Sequence, residues 1–496
     1  MTSALAAFNG SGTQGTAAIC KMHTPDDGDV QSAFWNRNDT TRFLLFGSSI
    51  QEIPTSGGQS VGINGNQIFT VNNDLDCLGD IYAQVELSNS ISALSTTSDA
   101  DEYPPIANLT SWGLARFISR IEFMVGTQIW QTMEANDLLN VLNTELPESA
   151  YHNAAFQCNG NHLSTGPKSS LDPNRGIYPG KTLQASIKLP LLNKTLQPML
   201  SKFTEMTEDG YLMAAAPHQQ VKIRLTYAAA LTDVLVPVTS GIPAGIYSKT
   251  TNFVSSDFSF SVKLYAKQQI MCNAERQQLK NMALGLPKRI KMTQNAQAQV
   301  VMKASQTSSA IDLDHFSLYA SYLVVSISGL TNTYIGYDTH NGVGGVEPDF
   351  SVSYDNVDPN KIPWAPTIPL AGKGLGGRIS IGSVHEAELL LNSTSVSGVL
   401  PGQFLTASAA ESMGLYSNMF TQGRNLGQLA SGFFIFPLAS HAYDASAVPL
   451  NRFDNIRLRI KPTTDGAGDG VCAVTVTCVG ETTALYKGGA ASLAMY

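Results

Sequence analysis

Two glycine-rich segments of the sequence have the spacing of motifs that do chemistry. Residues 372–377 match GxGxxG, the phosphate-binding pattern of dinucleotide sites, and residues 58–62 match GxSxG, the nucleophile elbow of hydrolases. The first motif needs a strand before it and a helix after it, so that backbone N–H groups point at a pyrophosphate. The second needs a strand, a sharp turn and a helix. A Pro-rich stretch precedes the first segment and a strand pattern follows it, while the second lies in polar sequence, so we interpret both as loops.

Candidate metal ligands are equally incomplete. His385 and Glu386 begin an HExxH pattern, but Leu389 stands where the second histidine would be. The acidic cluster at residues 26–29 is not followed by the remaining ligands of a calcium-binding loop. A pair of carboxylates of the glycosidase type could still come from distant strands, but the sequence singles out none. We therefore predict no catalytic residues, no metal, no cofactor and no enzyme activity.

Four N-x-[ST] sequons are the modification sites that the sequence offers. They begin at Asn38, Asn108, Asn193 and Asn392. The N-terminal segment has no basic region followed by an apolar one, so we expect no secretory signal. Without one, the glycosylation machinery of the secretory pathway would not meet these sites, and we interpret them as chance occurrences with glycosylation as the alternative.

Composition points to self-association rather than to nucleic acid or a bilayer. Hydrophobic residues make up 43% of the 496 residues, charged residues only 14%, and the net charge is −8. The small number of charges leaves a neutral polar surface, which suits packing against identical copies because like charges would oppose association. No long basic run is present for phosphate neutralisation, and no apolar run approaches the roughly 18 residues of a transmembrane helix.

The six cysteines are scattered and form no CxxC pair. Cys472 and Cys478 lie in one apparent strand, where they would be about 20 Å apart, too far for a disulfide. We interpret the cysteines as reduced thiols.

Alternation of apolar and polar residues is the dominant pattern and predicts half-buried strands along the whole chain. Few helical patterns interrupt it, which favours β-sandwiches over βαβ units. The apolar positions are Ile81, Ala83, Val85 and Leu87; Leu183, Ala185, Ile187 and Leu189; Val221, Ile223, Leu225 and Tyr227; Phe258, Phe260, Val262 and Leu264; Ile379 and Ile381; Ile456, Leu458 and Ile460; and Val474, Val476 and Cys478.

Two helices are predicted, over residues 132–146 and 274–284. Asn273 is a good N-cap for the second, which ends before Gly285 and Pro287 and marks our domain boundary. We predict an N-terminal arm over residues 1–39, a first sandwich over 40–274 and a second over 275–496.

The two halves of the sequence also resemble each other. Leu-Pro-Leu at 189–191 and Lys-Ile-Arg-Leu at 222–225 are echoed by Phe-Pro-Leu at 436–438 and Asn-Ile-Arg-Leu at 455–458. Long segments poor in regular pattern, such as residues 331–377, separate the strands. Sandwiches with such long insertions are typical of jelly rolls.

Four segments, in this order, resemble the major capsid proteins of nucleocytoplasmic large DNA viruses, the double jelly-roll family. Residues 80–87, preceded by 67–71, resemble the first core strands with their Gly-Asp turn. Residues 117–146 resemble a strand, tight turn, strand and amphipathic helix. Residues 264–279 resemble the last strand of the first jelly roll and its linker helix, and residues 449–458 resemble a conserved C-terminal segment. The stretch 289–303 departs from the family because it lacks the expected aromatic strand.

The resemblance implies an all-β protein of two tandem eight-stranded antiparallel jelly rolls with long loop insertions and a few short helices. It further implies homotrimers that form pseudo-hexagonal capsomers and tile an icosahedral shell of a large double-stranded DNA virus. Neighbouring capsomers and the minor capsid and penton proteins would be partners, with an internal viral membrane nearby but not inserted and no direct contact to nucleic acid. The expected location is the virion, after assembly inside the host cell, in the cytoplasm. A tandem β-sandwich carbohydrate-binding protein and a β-sandwich hydrolase are the alternatives.

Overall fold

The structure is a computed structural model that describes about half of the chain. The described residues are 46–56, 61–72, 76–92, 106–109, 112–147, 150, 153–154, 157–158, 176–177, 182–191, 211–237, 248, 253–271, 286–302, 308–329, 384–396, 398–402, 404–415, 433–440, 442, 447–462, 470–487 and 489–493. Pairing between the strands in these residues is antiparallel.

Eleven described strands lie in the N-terminal half of the chain. They are β1 (Phe46–Ile53), β2 (Asn66–Thr70), β3 (Cys77–Asn89), β4 (Ala107–Leu109), β5 (Ile118–Val125), β6 (Gln128–Glu134), β7 (Gly176–Ile177), β8 (Thr182–Leu189), β9 (Val221–Tyr227), β10 (Leu235–Pro237) and β11 (Phe258–Met271).

A further eleven follow in the C-terminal half. They are β12 (Leu286–Met302), β13 (Ser309–Asp312), β14 (Tyr319–Gly329), β15 (Val384–Leu391), β16 (Thr394–Ser395), β17 (Leu400–Pro401), β18 (Phe433–Pro437), β19 (Val448–Pro449), β20 (Ile456–Pro462), β21 (Gly470–Lys487) and β22 (Ala490–Leu493).

Helices are few and short in the described residues. The α-helices are α1 (Gly113–Arg116), α2 (Ala135–Glu145) and α3 (Ala409–Ser412), and a π-helical turn (Phe404–Ser408) leads directly into α3. Short 3-10 turns cover Met213–Ala215, Leu231–Asp233, Ser255–Asp257 and Leu450–Arg452.

The strands form two pairs of sheets with the same order of connections. The N-terminal half has the sheets β1-β11-β3-β8 and β2-β9-β5-β6, and the C-terminal half has β12-β21-β14-β18 and β13-β20-β15-β16. Each half has eight strands in these sheets once β4, β7 and β10 or β17, β19 and β22 are left out. When the eight are numbered along the chain, both halves have the strand orders 1-8-3-6 and 2-7-4-5. Four-stranded sheets crossed in this way are the jelly-roll arrangement. The chain is therefore a tandem double jelly roll, and the predicted all-β fold is confirmed.

The internal echo in the sequence falls on equivalent strands. Leu189 and Pro437 end β8 and β18, the sixth strands of the two jelly rolls. The segments 222–225 and 455–458 lie on or overlap β9 and β20, the seventh strands. A small strand cluster, β10-β4-β7, and the added strands β17, β19 and β22 complete the described sheets.

The apolar side of each predicted alternating strand faces the core. Ala83, Val85, Ile187, Ile223 and Leu225 are buried in the first jelly roll, and Leu458, Ile460, Val474, Val476 and Cys478 are buried in the second. Burial of apolar area, at about 25 cal/mol per Å², is the main favourable contribution to each sandwich. Ile379 and Ile381, the remaining predicted pair, lie outside the described residues.

Three details differ from the sequence prediction. The helix predicted over 132–146 begins at Ala135, because Thr132 and Met133 belong to β6 and pair with β5. The Gly-Asp pair at Gly79 and Asp80 is not a turn but lies within β3. The stretch 289–303, which lacks the aromatic pattern expected of the family, still forms most of β12.

The predicted domain boundary was placed in a helix that lies outside the described residues. Residues 272–285, which include the predicted helix 274–284, are not described, and neither is the predicted arm 1–39. The boundary between 274 and 275 therefore stays a prediction, although the two sets of sheets separate between β11 and β12.

Candidate functional site: a buried polar junction between the jelly rolls

Helix α2 of the first jelly roll packs on the outer face of the β12-β21-β14-β18 sheet of the second. Residues 137–145 of the helix are all buried. Its apolar side chains fill the core of the first jelly roll, while Asn140 points to the second. The Asn140 Nδ2 group donates to Oγ1 of Thr477 on β21 at 3.0 Å and to Oγ of Ser326 on β14 at 3.2 Å. The helix thus connects two strands of the opposite jelly roll.

Asp137, in the first turn of α2, is the buried acid of this junction. Thr477 donates from its hydroxyl to Oδ1 at 2.6 Å, and Asn295 Nδ2 on β12 donates to Oδ2 at 2.8 Å. The backbone N–H of Glu134 also donates to Oδ2, at 3.0 Å, and so caps the helix. Burial raises the pKa of Asp137 to about 6, against hydrogen bonds that lower it.

A buried ion pair forms at the other end of the helix. Glu145, the last residue of α2, pairs with Lys291 of β12 and accepts a hydrogen bond from the hydroxyl of Tyr322 on β14 at 2.7 Å. Glu145 and Tyr322 are fully buried. A buried ion pair adds little net stability over apolar packing, but the loss of one partner leaves an uncompensated charge and costs several kcal/mol. The pair therefore favours this one arrangement of helix and sheet.

The strand before the helix extends the junction along β12. Gln131 of β6 donates from Nε2 to Oγ1 of Thr293 at 2.9 Å, and both residues are buried. Gln297, four residues after Thr293 on β12, donates a hydrogen bond to the carboxylate of Glu134. Residues 291, 293, 295 and 297 alternate along β12 with the core residues Ile290, Met292 and Ala296. One face of the strand therefore lines the junction, and the other face lines the core of the second jelly roll.

The C-terminal hairpin contacts the first jelly roll at a second place. Tyr486 of β21 accepts a hydrogen bond from the backbone N–H of Leu212 at 3.3 Å, and its ring lies 5.8 Å from that of Tyr211. After the turn, the carbonyl of Gly489 accepts from the N–H of His218 at 3.1 Å. The N–H of Ala491 donates to Oε1 of Gln219 at 2.7 Å. Gly489 has φ of 78°, and a Cβ there would lie 2.4 Å from the His218 ring.

The junction can hold the two jelly rolls in one relative orientation, but its residues are not arranged as in a catalytic site. Its polar groups are buried between α2 and β6 on one side and the β12-β21-β14-β18 sheet on the other, and their hydrogen bonds require one relative position of the jelly rolls. Within the described residues, no group of three His, Cys, Asp or Glu side chains could hold a metal ion.

The motifs singled out in the sequence lie apart from the junction. Residues 372–377 and the acidic cluster 26–29 are outside the described residues, as are residues 58–60 of the GxSxG match, whose last two residues lie in irregular structure. His385 and Glu386 lie on the extended strand β15. Positions four apart on a strand are separated by about 13 Å, so the backbone here is not that of a zinc-binding HExxH helix.

The two sequons that the structure describes, at Asn108 and Asn392, also lie away from the junction. Asn38 and Asn193 are outside the described residues, and Asn108 lies on β4. Asn392 is exposed in the turn between β15 and β16, with φ of 50°. Its Oδ1 accepts hydrogen bonds from the backbone N–H groups of Asp454 and Asn455, at 3.0 and 3.1 Å. The side chain therefore stabilises the turn.

The thiols whose surroundings are described are buried and reduced. Cys77, Cys158 and Cys478 are buried thiols that form no disulfide bond. Burial raises the pKa of the Cys158 and Cys478 thiols well above their ordinary value. Such thiols are unreactive.

The residues of the junction were missed by the sequence analysis. Alternation placed Thr475 and Thr477 on the solvent side of β21, opposite Val474 and Val476, but both threonines are buried. The one local signal was the pair Glu134 and Asp137, three residues apart as in a capping box.

No described helix is long and apolar enough to cross a membrane.

Comparison with known proteins finds likeness in structure but not in sequence. No family model and no curated protein sequence matches the chain. The structure of VP54 of PBCV-1, fitted into a reconstruction of the virophage Sputnik, superposes with a TM-score of 0.58 at 12% identity, covering 91% of this chain and 97% of that one. The Faustovirus major capsid protein superposes with a TM-score of 0.57 at 8% identity, covering 95% and 94%. At such identities the likeness establishes the fold, over nearly the full length of both chains.

Proposed function

We propose that this chain is a major capsid protein, which trimerises into pseudo-hexagonal capsomers that tile the icosahedral shell of a large double-stranded DNA virus. The observation that carries the proposal is the tandem double jelly roll, joined by a buried junction. Its full-length likeness to PBCV-1 VP54 and to the Faustovirus major capsid protein supports this function.

The junction suits a building block that must present a constant shape. Two sandwiches connected only by a flexible linker would change their relative position, and identical contacts could not then be repeated around a shell. Buried hydrogen bonds and an ion pair from α2 to three strands of the second jelly roll oppose such motion. The low share of charged residues also leaves surfaces that identical copies can bury.

The partners follow from this function. Neighbouring capsomers and minor capsid and penton proteins would contact the outer surfaces, and the internal membrane would lie nearby without insertion. The protein would be located in the virion, after assembly in the cytoplasm of the host, and would act as a structural protein and not as an enzyme. Direct contact with nucleic acid is not part of the proposal because the sequence has no long basic run.

The carbohydrate-binding alternative has less support. It requires several exposed aromatic side chains along one groove, and Phe404 is the one clearly exposed aromatic among the side chains that the structure describes. Glycosylation of the capsid protein itself stays a prediction. Mass spectrometry showing only unmodified peptides at Asn38, Asn108, Asn193 and Asn392 would remove it.

Light scattering coupled to size-exclusion chromatography tests the proposed function on the purified full-length chain. We expect a particle with three times the mass of the chain at micromolar concentration. A stable monomer at that concentration would contradict a capsomer built from this protein alone.

A further inference from the structure

The junction within the chain is built from two kinds of surface, and each kind occurs a second time. One is the fifth strand of a jelly roll with the helix that follows it, here β6 and α2. The other is the outer face of a sheet with strand order 1-8-3-6, here β12-β21-β14-β18. The second jelly roll also has a fifth strand and a following helix, and the first jelly roll also has such a sheet.

The first unused surface is the outer face of the β1-β11-β3-β8 sheet, which we call the open sheet face. Its residues alternate with core residues such as Leu264 and Val85, and they are mostly neutral and polar, as in the junction. Ser259, Ser261 and Lys263 of β11 are exposed, and Ser88 and Glu86 of β3 lie directly opposite the two serines. The face consists of Ile50 and Glu52; Ser259, Ser261, Lys263, Tyr265 and Lys267; Tyr82, Gln84, Glu86 and Ser88; and Thr182, Gln184, Ser186 and Lys188.

An apolar side chain stands out on the open sheet face. Ile50 on the edge strand β1 pairs in register with Lys267 and is 66% exposed, the most of the large hydrophobic side chains described. A single exposed isoleucine needs no explanation by itself. Here it lies beside a broad neutral polar face equivalent to one that the chain buries in its other half.

The second unused surface follows the short fifth strand β16, and we call it the apolar ridge. Val396 is 47%, Val399 53% and Phe404 38% exposed, so three of the six exposed large hydrophobic side chains in the described part of the chain lie within nine residues. Ser408, Glu411 and Ser412 continue the exposed side of the helical segment, while Leu405 and Ala409 are buried beneath it. In the first jelly roll, the equivalent helix α2 has no such exposed side because the second jelly roll covers it.

We propose that the apolar ridge of one copy docks on the open sheet face of a second copy and so repeats, between chains, the junction made within each chain. This proposal rests on the proposed function and names the surfaces that join the capsomer. Ile50, Ser259 and Ser261 of the open sheet face are exposed in the single chain, and so are Val396, Val399 and Phe404 of the apolar ridge, so these side chains can meet a second copy. Each copy has one of each surface, and such head-to-tail contacts form closed rings when the rotation closes. Three copies would bring six jelly rolls into one ring.

The chemistry of the two surfaces is complementary. Val396, Val399 and Phe404 would cover Ile50 and the apolar parts of Tyr82 and Tyr265, while serine and glutamine side chains supply neutral hydrogen bonds at the rim. Buried aromatic and aliphatic anchors surrounded by polar residues are the usual composition of stable interfaces. The contact between copies would therefore be more apolar than the one within the chain, where Thr, Asn and Ser side chains dominate.

Photocrosslinking of the full chain tests which surfaces meet. Phe404 is replaced by p-benzoylphenylalanine, and ¹⁵N-labelled and unlabelled chains are mixed, so that mass spectrometry separates links between copies from links within one. We expect links from position 404 to peptides containing residues 46–53, 77–89, 182–189 or 258–271 of another copy, the four strands of the open sheet face. Links to other segments, or only within one chain, would overturn the proposal.

Two charge substitutions and a matched control test the same interface independently, through the stability of the trimer. Val396→Glu and Val399→Glu place a charge in the interface and should raise the concentration at which half of the trimer dissociates by roughly thirtyfold or more, a hot-spot effect. Ile129→Glu is the control, because Ile129 is 48% exposed and lies on β6, the fifth strand of the other jelly roll. This control should remain trimeric, and all three variants should keep the circular dichroism spectrum of the parent.

The outcomes separate this inference from the proposed function. A parent protein that is monomeric overturns the proposed function and the interface together. A trimeric parent whose Val396→Glu and Val399→Glu variants stay as tightly trimeric as Ile129→Glu overturns the interface alone.

Discussion

Thr477 connects the two jelly rolls most directly, and its substitution by valine is our sharpest test of the junction. The side chain accepts a hydrogen bond from Asn140 at 3.0 Å and donates one to Asp137 at 2.6 Å, and all three residues are buried. Valine has nearly the same shape but no hydroxyl. Loss of a charge-assisted hydrogen bond, with an amide donor left one acceptor short, should lower the free energy of unfolding by about 3–4 kcal/mol at pH 8.

The pH dependence gives the prediction a second, more specific part. Because burial raises the pKa of Asp137 from its ordinary 3.8 to about 6, the folded chain holds this proton more tightly than the unfolded chain. The stability that this group contributes therefore increases as the pH falls through about 6 and levels off near 3.8. Thr477 donates to the ionised carboxylate, so its removal should raise this pKa further. The deficit of Thr477→Val should consequently be largest above pH 7 and shrink towards pH 5.

Urea denaturation at pH 8 and at pH 5 measures the effect, with hydrogen exchange in the peptide 135–145 as the local readout of helix α2. Thr293→Val is the matched control. It removes a neutral hydrogen bond from Gln131 in the same junction, so we expect a loss of about 1 kcal/mol that does not change with pH. A deficit below about 1 kcal/mol for Thr477→Val, or one that grows as the pH falls, would refute this account of the junction.

Three further predictions address other contacts. Lys291→Met should destabilise the chain by about 3–5 kcal/mol because it leaves Glu145 charged and buried, and adding Glu145→Gln should recover much of the loss in a denaturation midpoint. Gly489→Ala should lower the thermal midpoint by several degrees through strain at φ of 78° and a clash with His218, whereas a change within error would refute that close contact. Cys478 should resist alkylation by iodoacetamide in the native chain at pH 8 and react after denaturation, and rapid native labelling would show that its burial is wrong.

The sequence predicted the sandwiches well because their physics is local. Alternation is a property of each strand alone, and residues such as Val85, Ile223 and Leu458 are buried whatever lies beyond the sheet. The internal echo could also be found, since Pro190 and Pro437 mark equivalent positions at or just beyond the ends of equivalent strands. The start of α2 was misplaced because Met133 fits a helical pattern as well as a strand pattern, and pairing with β5 decided the matter.

The junction could not be predicted in the same way because it depends on contacts between distant parts of the chain. Asp137 and Thr477 are separated by 340 residues. Polar residues on the outer face of a strand have the same pattern whether they meet water or a second jelly roll. Only the fold shows that Thr477 is covered and that Ser261, on the equivalent strand of the first jelly roll, is exposed.

Electron microscopy of the purified full-length protein tests the central claim most directly. Class averages should show a compact particle with threefold symmetry and a pseudo-hexagonal outline made of six similar lobes, one for each jelly roll. Single bilobed particles at micromolar concentration, or rings with any other number of lobes, would contradict the assembly that we propose.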